Sequence, residues 1–323
     1  MKKPNFAGTK WSLLIAIGIL YASLVGVPGR GNWSQEPIST ASLLTLETGI
    51  RPVGMGEAFT AIEGDHNALL HNPAGLTSSK TNLVTSSCSQ HYGEFSTQSL
   101  TLGTLNMAMK YLQLSSETIK TRNSRGQKTG TMQFKGQGLV AGWGTSFSSL
   151  SVGVQAKYYS QLEPSAGHGG SISPGLLYSW KDFSFGLVLE NAFSIPVTYR
   201  ASDHTEGWQR NLEAGFAYST PKFSLTIDLA DGLNSRGLKS TPLQAGFEGK
   251  WFQPVTFRFG ISSEWQTSLG FTCNFDPVEI NYAYLIHNHL PSVHKISFGV
   301  SPSLMAETVR SIYESQAGVN KSK

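Results

Sequence analysis

Three histidines, His287, His289 and His294, lie close together in the sequence. That density suits a transition metal only if one element presents all three to a common point. Pro291 falls among them, so loop positions without a metal are expected. His66 and His71 are five apart, off the i, i+4 spacing that puts two ligands on one helical face. Glu213, Glu248 and Glu279 are candidates for clustered carboxylates, whose proximity raises the proton affinity of one member. Water-facing carboxylates are more often ordinary solvated groups, and no acid–base pair is assigned. Ser, His and Asp abound without a G-x-S-x-G elbow, and the run Gly136-Gln137-Gly138 has no phosphate-loop lysine. Cys88 and Cys273 are 185 residues apart without C-x-x-C spacing. Two unpaired wall residues are expected, a single disulfide being the alternative. No enzyme chemistry, metal or cofactor is expected.

The elements that carry these residues read as strands. From about Asn82 to Pro302 the periodicity is two, the mark of strands with distinct faces. Leu150, Val152, Val154, Ala156 and Tyr158 share one side, Ser151, Gly153, Gln155 and Lys157 the other. The same alternation recurs from Phe183, Phe223, Leu243, Val255, Trp265 and Val278. Lys157, Asp228, Glu248, Lys250, Arg258 and Glu279 all fall with the polar sets, while Tyr158, Trp251, Trp265 and Tyr284 sit toward segment ends. Aromatic residues hold such positions at membrane interfaces. Charged residues are 14% of the chain, against about 25% in soluble domains, and 34 glycines and many uncharged polar residues take their place. That mixture suits a wall with lipid on one face and an uncharged polar lumen on the other. The net charge of +4 comes without a Lys/Arg block, so nucleic acid is not an expected partner.

The expected fold is all-β: a transmembrane antiparallel barrel of about 14 strands, an even number as in bacterial single-chain barrels. Strands are expected near 82–91, 96–104, 106–114, 132–146, 150–161, 169–180, 183–190, 209–218, 223–230, 242–251, 254–262, 265–274, 277–286 and 293–301. In hydrocarbon each unpaired backbone group costs several kcal/mol, so the first strand must pair with the last. The stretches 115–130 and 192–207 are expected as extracellular loops. Ahead of the barrel, Lys2, Lys3 and Lys10 precede an uncharged run from Trp11 to Val27, followed by small residues around Gly29. This is the pattern of a secretory signal over residues 1–29, with an uncleaved anchor as the runner-up. Residues 30–81 form a separate segment, 82–301 the barrel, and 302–323 a tail. In that tail Leu304, Met305, Val309, Ile312 and Tyr313 share one helical face, predicting a short amphipathic helix.

Residues 47–76 do not alternate. Gly54, Gly56 and Gly64 punctuate them; Asp65 is placed to cap a short helix over 66–71, and Asn72-Pro73 stops it. Scattered apolar bulk at Ala58, Phe59, Ile62, Leu69 and Leu70 predicts a compact plug inside the lumen. A periplasmic linker is the alternative, and would be more polar.

The words Gly54-Met55-Gly56-Glu57-Ala58-Phe59, Asn67-Ala68 and Asn72-Pro73-Ala74-Gly75-Leu76, with Asn281-Tyr282-Ala283-Tyr284 and His294–Gly299 near the end, resemble PorV/PorQ-type proteins of the FadL-like outer-membrane transporter superfamily. The resemblance implies a 14-stranded barrel in the outer membrane of a Gram-negative-type bacterium, with an N-terminal hatch in the lumen. It implies that Gly54, Met55, Gly56, Phe59, Asp65, Asn72, Pro73 and Gly75 shape that hatch. Gly64-Asp65 stands where the family carries an acidic pair, and the last strand runs into a tail rather than ending on an aromatic residue. FadL-type members pass long-chain fatty acids and other hydrophobic molecules; PorV-type members assist a protein secretion and surface-attachment system. The expected partners are therefore outer-membrane lipid and a hydrophobic small-molecule ligand met by Met55, Phe59, Leu69 and Leu70. The alternatives are a secretion-system or envelope protein, and a structural barrel without transport.

Overall fold

A computed structural model of the chain describes residue 44 and residues 48–79, 82–200, 205–232, 243–262, 266–287 and 290–302. The expected signal over 1–29 and the helix of the tail, with Trp265 and His289, lie outside the described residues.

Eighteen strands follow one another in chain order. They are β1 (Leu83–His91), β2 (Phe95–Gly103), β3 (Met107–Ser116), β4 (Ile119–Arg122), β5 (Lys128–Met132), β6 (Lys135–Phe147), β7 (Leu150–Glu163), β8 (Gly167–Trp180) and β9 (Phe183–Glu190). The rest are β10 (Phe193–Tyr199), β11 (Thr205–Glu206), β12 (Asn211–Ser219), β13 (Phe223–Gly232), β14 (Leu243–Phe252), β15 (Val255–Ser262), β16 (Thr267–Phe275), β17 (Val278–Ile286) and β18 (Val293–Val300). The main sheet has 16 strands. Setting aside the β10–β11 extension leaves a closed antiparallel ring of 14. β1 closes it on β18, with Cys88 opposite Ile296, so the pairing that hydrocarbon demands is met. Both cysteines are free.

Alternation builds the ring as expected. In β7 the polar set Ser151, Gly153, Gln155 and Lys157 is buried toward the inside, while Val154, Ala156 and Tyr158 are exposed outside. In β13, Leu225, Ile227 and Leu229 face outward; Asp228, Glu248 and Arg258 lie on the buried inner face. The six connections 104–106, 148–149, 181–182, 220–222, 253–254 and 276–277 are short and share one end, where Leu83 and Val300 also lie. The opposite end carries the long connections.

Two of those long stretches were expected as loops, and the structure corrects that. Residues 119–132 form the β4–β5 hairpin, a separate two-stranded sheet. β10 continues the line of β9 along β8: β9 pairs with Gly175–Trp180, and β10 with Gly167–Ile172. Most residues of β4 and β5 are exposed, so neither face needs apolar side chains and no period of two marks them. Asn191 sits at the break between β9 and β10 with φ 52°. Its side chain accepts from Ser171 Oγ (2.8 Å) and donates to the Gln209 carbonyl (2.6 Å), holding the interrupted strand in the wall.

Part of the interior is filled by the inner segment. Met55, Phe59, Ala61, Ile62, Ala68, Leu69, Leu70 and Leu76 pack on Ala108, Val140 and Ala217 of the wall. Nearer the long connections, Leu44, Leu112, Tyr159, Val197, Tyr199 and Trp208 form a second apolar cluster.

Candidate functional site: the inner segment and its seat

Residues 48–79 lie against the inward face of the wall, with α1 (Ile50–Gly54) first and two short 3₁₀ turns, His66–Leu70 and Pro73–Leu76, after it. Each turn is opened by a side chain that takes up an orphan N–H. Asp65 Oδ1 accepts from the Asn67 amide at 2.6 Å, and Asn72 Oδ1 from the Ala74 amide at 3.1 Å. Asn72 also ties the segment to itself and to the wall strand it lies on. Its Nδ2 donates to the Thr60 carbonyl and to the Leu176 carbonyl of β8, both at 2.8 Å.

The seat is a belt of wall glycines. A Cβ on Gly153 would collide with Pro73 and Ala74, one on Gly175 with Asn72, one on Gly186 with Thr60, one on Gly246 with Met55, and one on Gly260 with Gly56. Gly142 faces Leu69, Gly215 faces Thr60, and Gly270 faces Gly54. The belt runs in three stretches: Gly144, Gly153 and Gly175 are successive cross-strand partners, as are Gly186 and Gly215, and Gly246 and Gly260. At Gly153, Gly186, Gly246 and Gly260 glycine is required because backbone meets backbone, leaving no room for a side chain.

On the other side of the segment the wall bears side chains and leaves a cavity of about 590 Å³. Thr85 and Ser87 of β1, Thr101, Lys110, Thr272, Glu279, Asn281 and Ser297 line it, opposite Arg51, Asp65 and His66. Arg51 spans this space. Its Nε and Nη2 grip Glu248 of β14 at 2.7 and 2.8 Å, and Nη1 binds Asp65. Glu248 is fully buried and also holds Arg258 Nε at 2.7 Å and Lys250 Nζ at 3.2 Å. Arg258 continues to Thr272 and thence to Asn281. Burial alone would push the Asp65 carboxyl up, but the Arg51 guanidinium overrides it and holds the group below its ordinary value. His71 is buried against the Phe59 ring with its Nε2 unpartnered. Burial pulls its pKa down to about 4, with Glu190 opposing and Lys157 assisting, so the ring is neutral near pH 7.

The residues expected to shape a hatch are thus placed. Gly54, Met55 and Gly56 lie on β14–β16, and Gly56 has φ 64° with Ile261 N in the path of any Cβ. Phe59 is enclosed, with Arg51 over its ring at 5.3 Å. Pro73 lies on Gly144 and Gly153, and Gly75 is pressed on the Ile62 carbonyl. Met55, Phe59, Leu69 and Leu70, expected to meet a ligand, are all buried in packing with the wall, and none lines the cavity. Glu213, Glu248 and Glu279 are separated in role. Glu248 is ion-paired, Glu213 accepts from Thr60 Oγ1 at 3.4 Å, and Glu279 accepts from Asn281. Arg51 was not singled out from sequence. Its signal is that it is the one Lys or Arg between residues 31 and 79, set among apolar neighbours that need no charge.

No family model and no curated protein matches the chain by sequence. Solved structures do. The Pseudomonas putida toluene transporter TodX superposes with a TM-score of 0.52 at 12% identity, covering 77% of this chain and 97% of TodX. The CymD monoaromatic hydrocarbon channel gives 0.52 at 15%, covering 78% and 97%. The fold is the one these channels share. At such identity the likeness speaks for the barrel architecture and not for a substrate.

Proposed function

We propose that this chain is an outer-membrane channel for hydrophobic small molecules, in which residues 48–79 act as a plug that must shift before anything passes. The observation that carries this reading is the segment seated inside the ring. A ring with an apolar outer face encloses a segment seated on wall glycines, and an apolar cluster of Leu44, Leu112, Tyr159, Val197, Tyr199 and Trp208 lies toward the long-connection end. That cluster is itself buried, so it would give a hydrophobic molecule a surface it prefers to water, about 25 cal/mol for each Å² covered, only once its packing opens. Met55, Phe59, Leu69 and Leu70 would meet such a molecule only once the plug moves. Both the barrel shared with TodX and CymD and the FadL-like wording of the plug support transport. An export signal over 1–29 is part of the same reading. Uptake of radiolabelled toluene and of a long-chain fatty acid by a deletion strain, with and without the restored gene, tests it. Uptake of both compounds that is indifferent to the gene would sink the proposal, and a response to one alone names the substrate class.

A second reading, an accessory of protein secretion, is supported by the PorV/PorQ-like words of the plug and by the exposed β4–β5 hairpin. Crosslinking from that hairpin in intact cells tests it; recovery of no envelope protein removes it.

A further inference from the structure

The outer face is not uniform in height. Counted from the short-turn end, Leu229, Ile261 and Leu269 each stand six residues up their strands, and all three are exposed and apolar. At five or six residues up, β1 presents Cys88, β2 Gln98 and β3 Gln113, all three exposed. These form one cross-strand row, Cys88–Gln98–Gln113–Gln137. A second row, Gln90–Ser96–Ser115, lies above it. Below it Ser86 faces out beside Leu100. A nine-residue strand tilted by about 40° rises about 23 Å, within the roughly 25 Å apolar band of such barrels. β1 therefore faces the band along its whole length, and two of the four residues on its outer face, Ser86 and Gln90, are polar.

Gln137 accepts from Tyr111 Oη at 3.2 Å, and Ser96 bonds Ser115 at 3.0 Å. The amides of Gln90, Gln98 and Gln113 have no hydrogen-bond partner among the described residues. Hydrocarbon supplies none, and each unmet amide there costs several kcal/mol.

We propose that the outer face of β1–β3 is a homodimer interface in the membrane plane, in which these glutamines bond their counterparts on a second copy of this chain. The chemistry favours a second copy because the patch is uncharged and self-complementary. Each carboxamide both donates and accepts, so the same patch satisfies itself across a two-fold axis. Within β1–β3 it carries no charge for an oppositely charged partner to match; past Ser115 the second row reaches Lys135 of β6, which is paired with Glu163 at 2.9 Å. The apolar Leu100, Leu102, Met109 and Tyr111 beneath, each exposed, extend the contact downward.

The proposal rests on the outer face being lipid-facing, and its test separates the two. Protein that extracts without detergent removes the membrane reading itself. Detergent-extracted protein is then examined by native mass measurement over a hundredfold concentration range. A dimer is expected whose dissociation constant rises at least tenfold in Gln98→Leu/Gln113→Leu, with heat-modifiable migration confirming that the variant still closes its barrel. In a Cys273→Ser background, mild oxidation in membranes is expected to give a reducible dimer through Cys88, and Cys88→Ser to abolish it. A monomer at every concentration overturns the proposal, as does a dimer indifferent to the glutamine changes. Oxidation in intact cells that joins Cys88 only to a different protein overturns it in favour of a heterologous partner.

Discussion

The two sides of the inner segment meet the same wall by opposite means. Toward β6–β9, β12 and β14–β16 it lies backbone to backbone on glycines. Toward β18, β1 and β2 it faces Ser297, Thr85, Ser87 and Thr101 across a 590 Å³ cavity, at whose edge Arg51 reaches from α1 to Glu248 of β14, while Ile50 and Val53 pack on Ala283 of β17. Close contact at fixed backbone cannot yield by rotamer changes, because interiors are close-packed and resist added volume. A polar cavity can: side chains rotate and water replaces lost bonds. The glycine side therefore fixes where the segment sits, while the cavity side is where it can give.

Putting bulk on the rigid side breaks the contrast most severely. Gly260→Val places a branched side chain where Gly56 now lies, and is expected to unseat the segment at a cost of about 3 kcal/mol or more. Limited proteolysis of the detergent-solubilised barrel reads this as cleavage within 48–79. A variant as protected as the parent would show that the seat tolerates bulk.

At the polar bridge from α1, whose far end Glu248 stands on β14 beside the cavity, the effect is smaller. Arg51→Met leaves the fully buried Glu248 with Arg258 and Lys250 and strips Asp65 of its cation. Losing one member of a buried pair costs about 3–5 kcal/mol; with the Arg51 side chain 19% exposed, solvent screening reduces this to about 2–3 kcal/mol. Hydrogen exchange is expected to quicken in α1 while the amides of Phe59–Ile62, on the glycine side, keep their protection. Equal loosening of both would remove the distinction. Asn72→Ala comes next, at about 2 kcal/mol, since it strands the Thr60 carbonyl that now accepts from Nδ2. Its exchange should quicken at Thr60 and Ala61 first.

Much of this was legible in the residues. The strands fall within a few residues of their expected positions because one face of each is apolar and the other is not, and that alternation survives any detail of packing. The cap Asp65 was readable because a short oxygen-bearing side chain ahead of a turn has one favoured use; Asn72 was read only as the stop after it, and its own cap on the Ala74 amide was missed. The seat was half visible: Gly153, Gly186, Gly246, Gly260 and Gly270 all stand at inward parity in the sequence, where they passed for neutral wall. What they receive depends on how a chain segment distant in sequence folds back across the lumen, and no local pattern encodes that. The Arg51–Glu248 pair is hidden for the same reason, its members being 197 residues apart. The β4–β5 hairpin left no trace because an exposed hairpin needs no apolar face.

The smallest expected effect concerns pH, and it bears on the rigid side. His71 is packed on Phe59, with the charges of Glu190, Lys157, Lys110 and Asp65 around it. Its pKa is lowered from 6.5 to about 4 in the folded chain. A depressed base binds its proton more readily when unfolded, so its contribution is full above about pH 6.5 and falls as pH drops toward 4. Between pH 7 and 5.5 the loss is about 1 kcal/mol. Asp65, also depressed, adds nothing in that window, because its stabilisation is lost only below the ordinary carboxylate range. Exchange at the buried amides around Phe59 should therefore quicken about fivefold on acidification to pH 5.5, after correction for the intrinsic rate. His71→Gln should flatten that slope. A slope that survives the substitution would assign the response to the wall carboxylates, and the glycine-seated side would then owe its acid sensitivity to Glu213 or Asp228, which hold Thr60.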